Sequence, residues 1–271
     1  MARSRWKLVL AATLLAASPL FAQSDPATNP DAFERFLVPV FTAPVHGAFG
    51  SEFYSDLTVW NKSTEETLRV YGLQQFCVIN ECPPPPDFID VEAGSVEAPL
   101  LQPNGNPGRF IFVAKTQSNA AALNLRVFDA SRSATNFGTE LRVVRDRDFS
   151  AERIVLPAVP MSTRFRNTLR IYSTQPTNVV VSFQGPDVIG SPTIPPPPPQ
   201  TVTLRAGENL YDPAYAIFGD FPQYPYPLTV VVEPVALCPI CPFPHDFAAI
   251  WAFITVTNNE TQHITTISSQ P

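Results

Sequence analysis

The stretch "NTLRIYSTQPTNVVVSFQGPDVIGSPTIPPPPPQTVTLRAG", Asn167–Gly207, reads as strand, turn, strand, proline loop and strand. In "NTLRIYS" the apolar Leu169 and Ile171 alternate with Thr168 and Arg170, and "VVVSFQ" is dense in β-branched and aromatic residues. Period-two alternation in short runs bounded by Pro, Asn and Gly marks half-buried strands. Between the first two runs, "TQPTN" supplies turn residues. Pro195–Pro199 then pose a question, because proline has no amide proton and fixes φ. Five in succession cannot join a sheet ladder and hold an extended polyproline II course instead. The run is therefore expected to be a stiff loop between strands of one folded unit.

The same order of signals occurs earlier. "SDLTVWN", turn "KSTEE", "TLRVYGLQ", loop "CVINECPPPP" and "DFIDVEAG" repeat it, with Leu57 opposite Leu169 and Ala93–Gly94 opposite Ala206–Gly207. Near the ends, "LRVVRDRDFSAERIVLPAVP" (141–160) aligns without gaps with "AFITVTNNETQHITTISSQP" (252–271). Such self-similarity points to an internal duplication. Further short runs, "RFIFVAK", "ALNLRVFDA", "TELRVVR", "YPLTVVVEP" and "AIWAFITVTNN", carry the same strand character, and 31 prolines leave no room for a long helix. The expected fold is all-β, with two tandem immunoglobulin-like sandwich units, a usual size for that architecture being about 100 residues. The expected boundaries are a signal peptide over 1–22, a disordered leader over 23–35, unit 1 over 36–158 and unit 2 over 159–271. No Gly/Ser spacer separates the units, so they are expected to dock with limited freedom.

At the N-terminus, "MARSRWK" is basic, "LVLAATLLAA" is apolar and "SPLFAQSD" turns polar after a small residue. That sequence of regions reads as a secretory signal cleaved after Ala22, too short in its apolar part to span a bilayer. Secretion or release into the periplasm follows as the expected location. Cleavage removes Arg3, Arg5 and Lys7, so the mature chain is more acidic than the formal −6 of the whole. This balance speaks against nucleic acid, which demands clustered Lys and Arg, and against insertion of the mature chain into membrane. Proline-recognising partners are mostly intracellular, so export also speaks against the proline runs as docking motifs.

The four cysteines are Cys77 and Cys82, in the first proline loop, and Cys238 and Cys241, in "ALCPICPFPHD". In an exported chain an even count reads as disulfides. A four-cysteine zinc site and a thiol oxidoreductase motif are the rivals. The two pairs occupy non-equivalent loops, and proline and strand signals surround "CPIC" where a redox motif would open a helix. Two local bridges, Cys77–Cys82 and Cys238–Cys241, are expected, with no metal.

No H-E-x-x-H, G-x-S-x-G or glycine-rich phosphate loop occurs. His46, in "APVHGAFGSEF", and His245, beside Asp246, are the histidines that a distant serine could complete into a hydrolase site, yet nothing selects either. No catalytic residue and no cofactor is expected. "NLYDPAYAIFGDFPQYPYP" concentrates Tyr211, Tyr215, Phe221, Tyr224 and Tyr226. Aromatics held by prolines on a sandwich face are a way to stack sugars, which makes this cluster the candidate ligand site; the competing reading is core filling. In "TVWNKSTEE" and "TVTNNETQ" an Asn follows a strand, where its side chain can satisfy turn amides. Asn61-Lys-Ser63 and Asn259-Glu-Thr261 have the form of glycosylation sequons and read as turns.

Taken together, "FLVPVFTAPVHGAFGSEFYSDLTVWN" (36–61), "VFDASRSATNFGTELRVV" (127–144) and "AIWAFITVTNNETQHITTI" (249–267) resemble a group of uncharacterised exported bacterial proteins built of repeated β-sandwich units. The resemblance implies the fold and no activity. The second unit departs from it, since "AVPMSTRFRNTL" lacks the glycine loop of Gly47–Gly50. The expected function is non-enzymatic: an exported surface, structural or loop-binding protein whose partner is an extracellular or periplasmic protein or glycan. The alternatives are a carbohydrate-binding module and a hydrolase near His46.

Overall fold

Alternation in the chain becomes strands almost throughout. The computed structural model describes residues 25–40, 45–73, 87–99, 108–132, 137–173, 175–185, 195–204, 212–213, 224–235 and 248–269. The first ten strands are β1 (Phe33–Val38), β2 (Val45–His46), β3 (Glu52–Asn61), β4 (Leu68–Tyr71), β5 (Phe88–Val91), β6 (Val96–Glu97), β7 (Arg109–Ala114), β8 (Ala121–Asp129), β9 (Thr139–Leu141) and β10 (Val144–Arg145). The remaining eight are β11 (Ile154–Val159), β12 (Phe165–Ser173), β13 (Thr177–Gln184), β14 (Gln200–Leu204), β15 (Asp212–Pro213), β16 (Leu228–Pro234), β17 (Ile250–Asn258) and β18 (Ile264–Ser268). Short 3-10 turns are the only helical elements among the described residues, and no helix there is long and apolar enough to cross a membrane.

All pairings between these strands are antiparallel, and the protein is all-β. Four sheets result, in the orders β10-β1-β7-β4-β5, β2-β3-β8-β9 with β6 also on β3, β11-β16-β13-β14, and β15-β12-β17-β18. Alternate residues of the first two sheets meet in one core, among them Leu57, Val59, Val70, Val91, Ile111 and Leu125. Leu156, Leu169, Ile171, Val181, Val230 and Ile254 do the same for the last two. The arrangement is sandwich-like, with core-facing side chains alternating with outward ones along each strand. In a constant-type immunoglobulin sandwich the first two strands share a sheet. Here β1 and β3 lie in different sheets, as do β11 and β12.

Two expected boundaries differ from what the strands do. Residues 25–35 were expected as part of a disordered leader, but they form a turn, a 3-10 turn over Pro30–Ala32 and the start of β1. The reason is local: Phe33 packs edge-on against Tyr71 at 5.3 Å, and buried Glu34 is held by Arg145 and Arg147. Ile154–Val159, expected to close the first unit, instead pairs with β16. Ile154, Leu156 and Val159 are the side chains that draw it there, all three buried in the second core.

The "AIWAFI" run has its own explanation. Tyr172 on β12, with Trp251 and Phe253 on β17, turns away from the second core and joins the first. Leu169, Ile171, Ala252 and Ile254, alternating with them, face the second core. The β12–β17 pair is thus buried on both faces, and such strands read as continuous apolar runs rather than alternating ones. Ser51 reaches Gln262 at 3.0 Å and Ser150 bridges Ile250, so polar contacts join the two halves beside the apolar ones.

Candidate functional site

A row of side chains crosses the outward face of the β10-β1-β7-β4-β5 sheet. The register places Arg35 opposite Phe112, Phe112 opposite Tyr71 and Tyr71 opposite Phe88, so one residue from each of β1, β7, β4 and β5 falls in line. Their sequence neighbours Val113, Val70 and Ile89 point the other way, into the core. Period-two geometry therefore dictates which residues the surface receives. Phe33 and Arg69 flank the row, which floors a cavity of about 1330 Å³. One wall is the segment from Asp25 to Asp31, and another is the turn carrying Asp146 and Arg147.

Ring contacts set the floor. Tyr71 meets Phe33 edge-on at 5.3 Å and Phe88 at 5.6 Å. The Arg69 guanidinium lies 3.7 Å from the Phe88 ring centroid, a cation–π distance. Arg69 also donates to both Asp90 oxygens at 2.6 Å, and that hydrogen bond, ahead of the cost of burial, holds its proton more firmly than usual. Arg35 donates to Asp146 at 2.8 Å. These paired side chains are fixed in direction while Phe88, Tyr71 and Phe112 keep part of their surface in solvent.

The corresponding face of the β11-β16-β13-β14 sheet is different. Its register lines up Val155, Val231 and Ser182, followed along β13 by Val180 opposite Thr201. Glu233 stands opposite Val180 on β16, with Asn178 and Gln184 further along β13, and the described positions of this face hold no aromatic ring, so the sheet geometry itself does not call for one.

Of the five aromatics expected to form a site, Tyr224 and Tyr226 are among the described residues. Tyr211, Tyr215 and Phe221 lie outside the described residues, as do Cys77, Cys82, Cys238, Cys241 and His245. Tyr224 is buried, and its hydroxyl donates to the Pro195 carbonyl at 2.9 Å. Burial, and secondarily Tyr226, raises its pKa. Tyr226 is half-buried beside it, with ring centroids 6.0 Å apart, and packs against the second core. Tyr224 thus backs the proline run, where Pro197 is itself buried. His46 is exposed on β2, opposite Glu52. Ser51, whose carbonyl accepts from the Gly47 amide in the same turn, donates its hydroxyl to Gln262.

Asp129 is a structural acid. It is fully buried and accepts hydrogen bonds from the Glu52 amide, the Ser131 amide and the Ser131 hydroxyl. Burial alone would raise its pKa, but these bonds and Arg132 outweigh it and lower the value. The two turn asparagines act as expected. Asn61 Oδ1 accepts from the Ser63 amide at 3.0 Å, and Asn258 Oδ1 accepts from the Glu260 amide at 2.9 Å.

The outward row escaped the sequence reading because its members come from four separate runs. "RF", "RVY", "FID" and "RFIFV" each look like ordinary strand, and only the register brings them side by side. One signal was present: aromatics and arginines occupy the positions of those strands that a half-buried sheet usually gives to Thr and Ser.

No family of proteins, no curated protein and no solved structure matches this chain.

Proposed function

We propose that this is an exported, non-catalytic binding protein, built of two repeated sandwich units, whose ligand surface is the Arg35–Phe112–Tyr71–Phe88 row. The observation that carries the reading is the contrast between the two corresponding faces. The first face carries three aromatic rings and two arginine–carboxylate pairs, whereas the described positions of the other carry Val, Ser, Thr, Asn, Gln and a single Glu233, and that concentration implies a task beyond folding. The duplication is supported by strand order: β1-β7-β4-β5 matches β11-β16-β13-β14, and β6-β3-β8-β9 matches β15-β12-β17-β18. In that match β17 takes the place of β8, so the gapless pairing of 141–160 with 252–271 is replaced by one between 121–129 and 250–258. The first unit then begins at Phe33, and the junction falls between Phe149 and Ile154. Export rests on the N-terminal signal, and the likeness to exported repeat proteins agrees with it.

The test is retention of the mature protein on insoluble cell-envelope material. Phe88→Ala and Tyr71→Ala should each release it, while Thr201→Ala on the corresponding face should not. Equal retention of all three variants would contradict the assignment of the surface.

A further inference from the structure

We infer that the groove binds a neutral oligosaccharide, laid across β1, β7, β4 and β5; this inference rests on the reading of the row as a ligand surface. The charges decide it. Arg35 is matched by Asp146 and Arg69 by Asp90, while the buried Glu34 carboxylate sits between Arg145 and Arg147 at 3.3 and 3.1 Å. A polyanion would meet a carboxylate beside each of the row's arginines, and a polycation would meet the arginines. Neither finds the one-signed field that recruits a charged polymer.

A matched pair still has hydrogen-bonding capacity. A guanidinium carries five N–H donors and a carboxylate about four acceptor sites; Arg69 donates twice to Asp90 and shares a further hydrogen bond with Tyr71, and Arg35 donates from Nε to Asp146, so part of each inventory remains. Donors and acceptors thus stand side by side at Arg35–Asp146 and again at Arg69–Asp90. Neighbouring hydroxyls of a sugar, each able to donate and accept, match that pattern. Phe112 lies between the two ion pairs, while Tyr71 and Phe88 lie beside Arg69 and Asp90 on the same two strands; the parts of these rings left in solvent, one face of Phe88 being covered by Arg69, offer apolar surface to the C–H faces of a pyranose. The row crosses four strands, about 14 Å at the usual strand spacing, which suits a short chain better than a single sugar. Rigid strands and fixed ion pairs leave little ordering cost on binding.

Affinity electrophoresis in gels containing neutral polysaccharides (xylan, mannan, a mixed-linkage β-glucan) or acidic ones (polygalacturonate, alginate) tests this. At least one neutral polymer should retard the mature protein, with at least tenfold weaker retardation for Phe88→Ala and Tyr71→Ala. Asp90→Asn, which leaves the ring packing in place, should weaken it as well, and circular dichroism should show all three variants folded. Row-dependent retardation by acidic polymers alone would overturn the neutral class while leaving a binding surface in place. Retardation by none, or retardation unchanged in the variants, would overturn both readings.

Discussion

Tyr172, near the end of β12, donates its phenolic hydrogen bond to the carbonyl of Pro39, just beyond β1. The contact joins the two halves of the molecule at a fully buried point, with the Trp251 ring 5.8 Å from that of Tyr172. A Cβ on Gly108 would approach the Tyr172 ring to 2.8 Å, so the backbone there is fitted to this side chain.

Tyr172→Phe should therefore cost about 1–3 kcal/mol, the usual penalty for leaving a buried carbonyl without its donor. Gly108→Ala should destabilise too, through the clash. Because the β12–β17 pair serves both cores, thermal unfolding should follow one transition by circular dichroism and by Trp fluorescence. Two well-separated transitions would show that the halves fold without each other.

Asn61→Ala should be more damaging than a surface substitution. The side chain is fully buried and its amide donates to the carbonyls of Glu66, Val91 and Glu92, while its oxygen accepts from Ser63. Removing it strands several groups at the end of β3, and a loss of about 3 kcal/mol is expected, since each buried unmet group costs roughly 1–3 kcal/mol. Urea denaturation gives the value; a change within about 0.5 kcal/mol, the range of surface substitutions, would show that the turn does not depend on it. Burial also makes Asn61 a poor glycan acceptor in the folded chain despite its sequon.

Asp129 gives the protein an acid-sensitive point. Its carboxyl titrates below its unfolded value, so its stabilising contribution is complete above that value, about 3.9, and is lost as pH falls through the lower, folded one. Asp129→Asn should lower stability at neutral pH and flatten the loss below about pH 4. A variant whose acid limb runs parallel to that of the wild type would assign the sensitivity to other groups.

Most of the fold was legible because its determinants are local. Leu57, Val59, Leu169 and Ile171 alternate with polar neighbours, and Asn61 and Asn258 follow strands, so strand and turn could be read without partners. The "AIWAFI" run was legible as a strand, though the second core that covers its other face was not. The β11 assignment was harder. "ERIVLPAVP" has strand character but nothing local to say whether Ile154 and Leu156 join the core before or after them. The row at Arg35, Tyr71, Phe88 and Phe112 was the least legible, since it exists only through register between runs far apart in the chain.

The cysteine pairs carry their own expectation. Local bridges Cys77–Cys82 and Cys238–Cys241 would each close a very short loop and contribute about 2–3 kcal/mol or less, so reduction should leave both cores folded. Mass spectrometry of the unreduced digest decides the pairing. Peptides joining Cys77 or Cys82 to Cys238 or Cys241 would contradict it, as would four free thiols with bound zinc.

The central claim is that one sheet face, and not its counterpart, meets a ligand. Hydrogen–deuterium exchange of the protein with and without a retarding neutral polysaccharide measures this directly. The account predicts added protection in β1, β4, β5 and β7, and unchanged exchange in β11, β13, β14 and β16. Protection confined to 208–226, or spread equally over both faces, would contradict it.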